Sequence, residues 1–322
     1  MKRSVEFACF AAILVFTPPV IAADFPTKPI AFVLGFAPGG PSDVMGRILA
    51  RKLEQVVGQP VVVENRPGAG GNIAGEFVAR ATPDGHTLLL GTNGILASNF
   101  SLYRKISYDP AKDFQPITLV GEQANVLYVH PSVPANTLAE FVAYAKAHPD
   151  KLNFASGGSG TSAHLAGELL KTEAKITMQH VPMKGTGPAL QNVLAGHVQV
   201  GISPVAPIGA HIQSGALRAL AVTSLKRTGP LPTVGTIAEL LIPGFEATSW
   251  HGIVAPAGIS KEVTAALHRA MMTTLNDPEV RKRLDSLGID VVGNTPEAFA
   301  AYIKSEIPKW AAIIKASGAT AD

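Results

Sequence analysis

Short apolar runs alternate with amphipathic segments of helical length along the first part of the chain. The apolar runs cover residues 30–36, 61–64 and 86–91, and segments with helical periodicity follow the first two, at 42–57 and 72–81. Strands that alternate with helices lie parallel in one sheet. The pattern therefore predicts an α/β fold with a doubly wound, parallel sheet.

The same alternation restarts near residue 137, which predicts a second lobe of the same design. Its expected strands are 125–130, 152–155, 178–182, 198–202 and 217–223, and its expected helices are 137–148, 163–171 and 189–194. A long apolar run around Trp250 is assigned back to the first lobe, with the crossing at 229–232. Three amphipathic helices are expected on the outside of the first lobe, at 260–275, 277–287 and 296–315.

Four glycine-rich turns follow predicted strands, and they are numbered first to fourth in chain order: 36–42, 65–72, 156–162 and 184–188. In the first turn, Gly39 and Gly40 leave the backbone N–H groups unshielded, and Ser42 is expected to cap the following helix. Asp43 lies at the start of that helix, where the helix dipole favours a negative charge. Unpaired N–H donors at a helix N-terminus form a site for a carboxylate or a phosphate.

All four turns are expected to line one cleft, because open α/β sheets bind ligands at the carboxyl ends of their strands. The turns supply backbone amides and hydroxyls with few charged side chains, a combination that suits a small anion. The alternative is that they are ordinary connections, since bare loops between strands and helices are common.

Residues 1–23 have the pattern of a secretory signal peptide. Lys2 and Arg3 precede a mostly apolar stretch at 7–16, and small residues suited to cleavage follow at 22–23. The apolar stretch is too short to span a bilayer. Cys9 is the only cysteine and lies within this signal, so the mature chain is expected to have no disulfide, which suits a bacterial periplasm.

Composition and motifs argue against several other classes of protein. The net charge is only +3 and no basic run is present, so no nucleic acid partner is expected. The histidines have no H-x-H or H-x-x-x-H spacing, so no metal site is predicted. The G-x-G-x-x-A match at 158–163 lacks the acid of a dinucleotide site, since His180 stands where that acid is needed. Without a G-x-S-x-G elbow, catalysis has little support, and no cofactor is expected.

Several side chains near the turns each allow two interpretations. Arg47 is interpreted as an i,i+4 partner of the acid at the start of its helix rather than as a ligand contact. Arg66 is interpreted as a surface residue, and Trp250 as a core residue rather than a wall of the cleft. Lys184 and His164 stay open between contact with a ligand and an interaction within their own loop.

With these segments in place, the chain resembles the periplasmic solute-binding proteins of tripartite tricarboxylate transporters, the Bug family. The resemblance covers nearly all of the mature chain and is carried by FPTKPIAFVLGFAPGGPSDVMGR, VVVENRPGAGGNIAG, DGHTLLLGTNG, NFASGGSGTSAHLAGELL, VPMKGTGPAL, LRALAVTS and GFEATSWHGIVAPAG. It implies a two-lobed type II periplasmic binding protein fold, each lobe a mostly parallel sheet flanked by helices. A small carboxylate would bind between the lobes and be delivered to a membrane permease.

The resemblance also implies the residues of the site. In the family the first and third turns hold the ligand, partly through ordered water, and the second turn completes the wall of the first lobe. The residues so implied are Phe36, Ala37, Gly39, Gly40, Ser42, Gly70, Gly71, Asn72, Thr92, Asn93, Ser156, Gly157, Thr161 and His164, with Lys184 and Ser203 as further candidates.

Two departures from the family pattern bear on the ligand. Met183 stands where an aromatic residue is usual, and Ser203 stands near a position often held by Asp or Asn. The second departure removes a selector for an amino or amide group. A plain carboxylate, namely a dicarboxylate, a tricarboxylate or an aromatic acid, is therefore expected in preference to an amino acid.

The expected domains are a signal peptide at 1–23, a first lobe at 24–122 and 233–322, and a second lobe at 123–232. The protein is expected to be a monomer in the periplasm, with a small carboxylate and the permease subunits as partners. One alternative is a periplasmic sensor subunit that binds the same ligands and signals to a membrane kinase. Another is an enzyme that acts on a carboxylate. The sequence does not separate transport from sensing.

Overall fold

The computed structural model describes residues 25–321, so the expected signal peptide at 1–23, with Cys9, lies outside the described residues. Within them the chain forms two sheets, of six and five strands, flanked by helices. The strands are β1 Ile30–Leu34, β2 Val61–Asn65, β3 Thr87–Thr92, β4 Phe114–Gln123, β5 Asn125–Val129, β6 Asn153–Ser156, β7 Gln179–Pro182, β8 Val200–Pro204, β9 Arg218–Val222, β10 Ser249–Pro256 and β11 Ile289–Val291.

Four of the helices, those that start at residues 41, 72, 162 and 186, begin at the predicted glycine-rich turns. The helices are α1 Pro41–Val57, α2 Asn72–Ala79, α3 Asn99–Leu102, α4 Leu138–Ala147, α5 Ser162–Ala174, α6 Thr186–Leu194, α7 Gly209–Gln213, α8 Ile237–Leu240, α9 Lys261–Asn276, α10 Pro278–Ser286 and α11 Pro296–Ser317. A 3₁₀ turn at Ala69–Gly71 precedes α2, and a π-helical turn at Gly94–Ser98 precedes α3. The sequence did not predict the π-helical turn or the short elements α3, α7, α8 and β11.

The first sheet has the order β11-β4-β10-β3-β1-β2. β1 lies parallel to β2 and β3, as the alternation of apolar runs and helices predicts. β10, the strand around Trp250, runs antiparallel between β3 and β4. This pairing places residues near position 250 beside β3 and β4, and the N-terminal end of β10 meets the carboxyl end of β3.

The second sheet has the order β7-β6-β8-β5-β9. β6 is parallel to β7 and β8, and β5 is antiparallel to β8 and β9. The predicted α/β class, with two sheets flanked by helices in a two-lobed fold, is confirmed. The sheets are mixed rather than mostly parallel, since four strand pairs are parallel and five are antiparallel. The antiparallel strands β5 and β10 each follow a crossing from the other sheet, which reverses their direction.

The two crossings between the sheets lie side by side. The first is the short step from β4 to β5, and the second contains Thr223 and Ala247. The Thr223 N–H donates to the Asn125 carbonyl oxygen at 2.9 Å, and the Asn125 N–H donates to the Thr223 hydroxyl at 3.0 Å. The Ala247 N–H donates to the Thr223 carbonyl oxygen at 3.0 Å. The two sheets are thus joined by a pair of neighbouring crossings. The domain boundaries expected at residues 122 and 233 stay a prediction.

The largest apolar cluster contains residues from both sheets, and α11 contributes Phe299, Ile303 and Trp310 to it. α9 and α10 pack beside α1 on the first sheet, as expected. α11 also contacts α5, which belongs to the second sheet, so the expectation that all three closing helices cover only the first lobe is incomplete. Among residues 25–321, no helix has the length and apolar character needed to cross a membrane.

Candidate functional site

Asp43 of α1 holds the first turn in place. Its Oδ2 accepts the Gly39 N–H at 2.9 Å and the Arg47 Nε–H at 3.0 Å, and its Oδ1 accepts the Asn65 side-chain amide at 2.9 Å. The hydrogen bond from Arg47 is the main reason that the pKa of Asp43 is lowered to about 2. The i,i+4 partnership predicted for Arg47 is confirmed. Asn65, the last residue of β2, is a supporting residue that the sequence reading missed.

The expectation that Ser42 caps α1 is wrong. The helix begins at Pro41, its N-cap residue is Gly40, and no side chain caps it. Proline fits the first helical position because it has no N–H to leave unpaired and its φ is already helical. Ser42 is therefore one residue inside the helix, and its hydroxyl lies 3.1 Å from Nε2 of His251 on β10. Burial lowers the pKa of His251 to about 4, so its ring is neutral at pH 7.

The second turn packs against the first. A Cβ atom on Gly35 would lie 3.0 Å from the Gly71 Cα, so the two backbones are in close contact. Asn99 of α3 donates its side-chain amide to the Gly70 carbonyl oxygen at 3.1 Å and to the Asn72 Oδ1 at 2.7 Å. Asn99 is thus a second supporting residue that the sequence reading missed, because α3 itself carries no strong periodic signal.

Thr92 and Asn93 follow β3 and are both buried. Thr92 pairs with His251 across β3 and β10, and its hydroxyl lies 3.4 Å from the Ile95 N–H. The Asn93 side-chain nitrogen is buried and has no hydrogen-bond partner among the described residues. A buried amide without a partner is unfavourable by about 1–3 kcal/mol, so Asn93 is a candidate donor to a ligand.

The third and fourth turns also lie together. The Gly185 N–H donates to the Gly157 carbonyl oxygen at 3.0 Å, and a Cβ atom on Gly157 would lie 3.3 Å from the Thr186 nitrogen. Thr161 caps α5, because its hydroxyl oxygen accepts the His164 N–H at 3.2 Å. The N-terminus of α5 is therefore fixed beside the start of α6.

His164 is buried and bonds its own loop. Its Nδ1 accepts the Gly160 N–H at 3.1 Å. Burial, with a smaller contribution from Lys171, lowers the pKa of His164 to about 4, so the ring is neutral at pH 7. Of the two interpretations open to this residue, the structure shows the interaction within the turn.

The second and third turns meet at α3, although they belong to different sheets. A Cβ atom on Gly160 would lie 2.5 Å from the Leu102 Cδ2 and 3.5 Å from the Asn99 Oδ1. Asn99 therefore bonds the second turn and lies beside the third. Together with the contacts between the first and second turns and between the third and fourth, this places the four turns in one continuous group. Each sheet contributes two turns to it.

The remaining residues expected at the site differ in how far they are buried. Ser203 is fully buried on β8, where its hydroxyl donates to the Pro204 carbonyl oxygen at 3.3 Å, and Lys184 is exposed. Phe36 and Gly40 are half-buried, and Ala37 is exposed at the edge of the first turn. Among the hydrogen bonds and ion pairs of residues 25–321, none joins Ser203 or Lys184 to the first two turns. Whether the expected residues bind a ligand stays a prediction.

Arg66 and Trp250 follow their predicted interpretations. Arg66 forms an ion pair with Glu64 at 2.9 Å, and its guanidinium carbon lies 3.5 Å from the centroid of the Phe77 ring. Trp250 is fully buried, and its indole N–H donates to Glu306 at 2.8 Å. The Trp250 indole donor is therefore occupied, whereas the Arg66 Nε is buried and has no hydrogen-bond partner among the described residues.

A surface hollow of about 850 Å³ lies along α2 and the start of β1, away from the third and fourth turns. Its charges are paired with one another: Lys28 with Asp84 at 2.8 Å and Arg80 with Glu76 at 2.7 Å. These pairs leave little attraction for a free anion. Among residues 25–321, no group of three or more histidine or acidic side chains is arranged to hold a metal ion.

The fold has two lobes of sheet and helix joined by a paired crossing, and glycine turns from both lobes lie in one group. These features define a two-lobed solute-binding protein. Residues 45–319 match the model of the tripartite tricarboxylate transporter family receptor, and the chain belongs to that family. Its members and structural neighbours are solute-binding proteins, so the expectation that this chain is not an enzyme is confirmed.

The chain is similar both to a relative found by sequence and to solved structures. The chain is 37% identical over 302 residues to the protein BugT of Bordetella pertussis, covering 94% of this chain and 93% of BugT. It superimposes on R. palustris Rpa4515 with adipate with a TM-score of 0.84 and 34% identity, covering 92% of this chain and 99% of that one. For MatC of Rhodopseudomonas palustris with bound malate, the TM-score is 0.80 and the identity 34%, covering 90% of this chain and 100% of that one.

Proposed function

We propose that this protein is exported by its N-terminal signal to the periplasm, captures a small carboxylate between its two lobes, and delivers it to the permease of a tripartite tricarboxylate transporter. The observation that carries the proposal is the position of Asn99, which bonds Gly70 on one side and lies beside Gly160 on the other. This position supports a site in which amide-rich turns of both lobes touch one ligand.

The chemistry of the turns supports an anionic ligand. Helix α1 begins at a glycine and a proline with no side-chain cap, so its first amides are left to an external acceptor. The histidines that contact the first and third turns, His164, His180 and His251, are neutral at pH 7 because burial lowers the pKa of each. Recognition therefore rests on backbone amides and hydroxyls, which stabilise a carboxylate without a dedicated cation.

The structures of two relatives support the same ligand class. Rpa4515 is described with adipate and MatC with malate, and both are dicarboxylates. At 34% identity and more than nine-tenths coverage of those chains, the backbone frame around the turns is shared. A dicarboxylate has one anionic group for each lobe, and a ligand that contacts both lobes favours the closed form.

A thermal-shift screen tests the proposal. Dicarboxylates, tricarboxylates, aromatic acids and acidic amino acids are each added to the mature protein, with adipate and malate included. A ligand that binds only the native state raises the melting temperature by mass action. Calorimetric titration of the acids that raise it then gives their affinity. A panel in which neutral apolar compounds raise the melting temperature and no acid does would overturn the carboxylate assignment.

A transport assay tests the second half of the proposal. The permease subunits are placed in proteoliposomes, and uptake of the labelled acid from the screen is measured with and without the mature protein. Uptake that depends on the protein supports delivery to a permease. An acid that binds tightly without supporting uptake would argue against delivery.

A further inference from the structure

Three aromatic rings form a stack beneath the third turn. The rings of His164, on α5, and His180, on β7, have centroids 3.9 Å apart and an interplanar angle of 20°. Phe154, on β6, lies against the other face of this pair, 4.8 Å from the His180 ring. The stack fills the space between two parallel strands and the helix that follows the turn, so neither imidazole can rotate freely.

His180 fixes the start of the turn through Ser156. Its Nε2 lies 2.7 Å from the Ser156 hydroxyl oxygen, which also accepts the Gly158 N–H at 3.2 Å and lies 3.1 Å from the Gly158 carbonyl oxygen. The serine has one hydroxyl hydrogen. When that hydrogen is donated to the Gly158 carbonyl, the proton between Ser156 and His180 must come from Nε2 of the histidine.

His164 fixes the end of the turn directly. Because its Nδ1 accepts the Gly160 N–H, the proton of the neutral ring is on Nε2, which lies 3.9 Å from a carboxylate oxygen of Glu168. Glu168 in turn accepts from Lys171 at 2.8 Å. The tautomer of His164 is thereby set by the Gly160 amide, and Glu168 lies on the Nε2 side of the ring.

The Gly160 amide therefore donates to His164, and the Gly158 amide donates to the Ser156 hydroxyl, which His180 holds. The amides of Gly157 and Ser159, in the same turn, make no hydrogen bond with any described residue. We infer that His164 and His180 are positioning residues: His164 binds the Gly160 amide directly, His180 holds the Gly158 amide through Ser156, and the Gly157 and Ser159 amides are left for a ligand carboxylate. This inference rests on the proposed function and adds a role for His180, which touches no ligand itself.

The inference is tested first without ligand. His180→Phe keeps an aromatic ring in the stack but cannot bond Ser156, whereas His180→Gln retains a donor. Amide hydrogen exchange measured by NMR is expected to rise about fivefold at Gly158 in His180→Phe, the effect of one net hydrogen bond, and to stay nearer the native rate in His180→Gln. His268→Phe is the matched control. His268 lies on α9, and its Nε2 is 3.1 Å from the Asn294 carbonyl oxygen.

The second measurement adds adipate and malate as the probes. In the native protein, either acid is expected to shift the amide resonances of Gly157 and Ser159 more than those of Gly158 and Gly160. The dissociation constant is expected to rise about fivefold in His180→Phe, to recover in His180→Gln, and to stay unchanged in His268→Phe. The urea midpoint is expected to change equally in the two phenylalanine variants, which separates positioning from general stability.

Several results would overturn the inference: unchanged exchange at Gly158 in His180→Phe, ligand-induced shifts centred on Gly158 and Gly160, or unchanged affinity in His180→Phe. If neither acid binds the native protein while neutral compounds raise its melting temperature, the proposed function fails. The proposed role of the third turn in binding a carboxylate then fails as well. The exchange rate at Gly158 then still decides whether the histidines hold the turn.

Discussion

The side-chain amide of Asn125 donates to the hydroxyl of Ser162 across 3.2 Å, and this bond joins the first crossing between the lobes to the N-terminus of α5. The same amide lies 3.3 Å from the Ala247 carbonyl oxygen on the second crossing. One fully buried side chain thus contacts both connections between the sheets and the helix that follows the third turn. Movement of the lobes and the position of that helix are therefore expected to be coupled.

Replacing Asn125 with Ala removes the donor shared by Ser162 and Ala247. We expect the free energy of unfolding to fall by about 1–3 kcal/mol, because buried acceptors lose their partner. Urea denaturation measures the change. Asn136→Ala is the control, since the Asn136 side chain is exposed and makes no hydrogen bond with a described residue. Equal losses in the two variants would contradict a special role for the crossing.

Replacing Gly40 with Leu is expected to block the first turn without unfolding the protein. Gly40 has φ −79° and ψ 169°, which any residue can adopt, and a Cβ atom there would lie 3.6 Å from the Ala37 carbonyl oxygen. The change at this N-cap position is expected to cost no more than about 1 kcal/mol of stability. In the thermal-shift screen, the rise in melting temperature with a carboxylate should disappear.

Gly209→Leu is the control for this variant, because a Cβ atom at Gly209 meets nothing within 4 Å and the residue starts the short helix α7. This variant should keep the full ligand-induced rise in melting temperature. A Gly40→Leu protein that responds to the acid as the native protein does would remove the first turn from the site.

Asp43 is expected to stabilise the protein in a pH-dependent way. Its pKa is lowered from 3.8 to about 2 in the folded state, so its contribution is present above about pH 4 and is lost as the pH falls towards 2. Asp43→Asn should lower the free energy of unfolding by about 1–2 kcal/mol at pH 5, because the exposed Arg47 is partly screened. The difference from the native protein should shrink between pH 4 and pH 2.

Urea denaturation at several pH values measures this difference. Asp150→Asn is the matched control, since Asp150 is exposed and forms no ion pair with a described residue. Its stability should follow that of the native protein at every pH. A deficit of Asp43→Asn that is the same at pH 5 and pH 2 would show that the charge of Asp43 is not what holds the first turn.

Glu306 is expected to be important for the junction of α11 with β10. One carboxylate oxygen accepts the indole N–H of Trp250 at 2.8 Å and that of Trp310 at 2.7 Å, and the other accepts from Lys309 at 2.9 Å. Glu306→Ala leaves two buried indole donors unpaired, so we expect a loss of about 3–5 kcal/mol. Glu306→Gln, which keeps an acceptor oxygen, should lose less.

Chemical denaturation measures these losses, with Glu297→Ala as the control on the same helix. Glu297 is exposed at the start of α11, and its removal should cost less than about 1 kcal/mol of helix-dipole interaction. A Glu306→Ala protein as stable as Glu297→Ala would mean that the two indoles find other acceptors.

Local pattern was sufficient for much of the fold. The periodicity of apolar residues in strands and helices depends on residues close together in the sequence, as does the position of glycine turns after apolar runs. Both can therefore be predicted from the sequence. Ser42 shows the limit of such reading, since a serine before a helix is a good cap, yet Pro41 starts the helix one residue earlier. The π-helical turn and α3 were missed because their five and four residues are too short for a periodic signal.

By itself the sequence determined the α/β class, the two-part organisation, the position of the glycine turns and, through family resemblance, the kind of protein. Only the tertiary structure decided which side chains support those turns. Asn99 reaches Gly70, Asn125 reaches Ser162, and His180 reaches Ser156, over separations of 24 to 37 residues. α11 likewise reaches α5 in the other lobe. Such contacts depend on how the elements pack, and because packing joins residues with no fixed spacing along the chain, no local pattern encodes them.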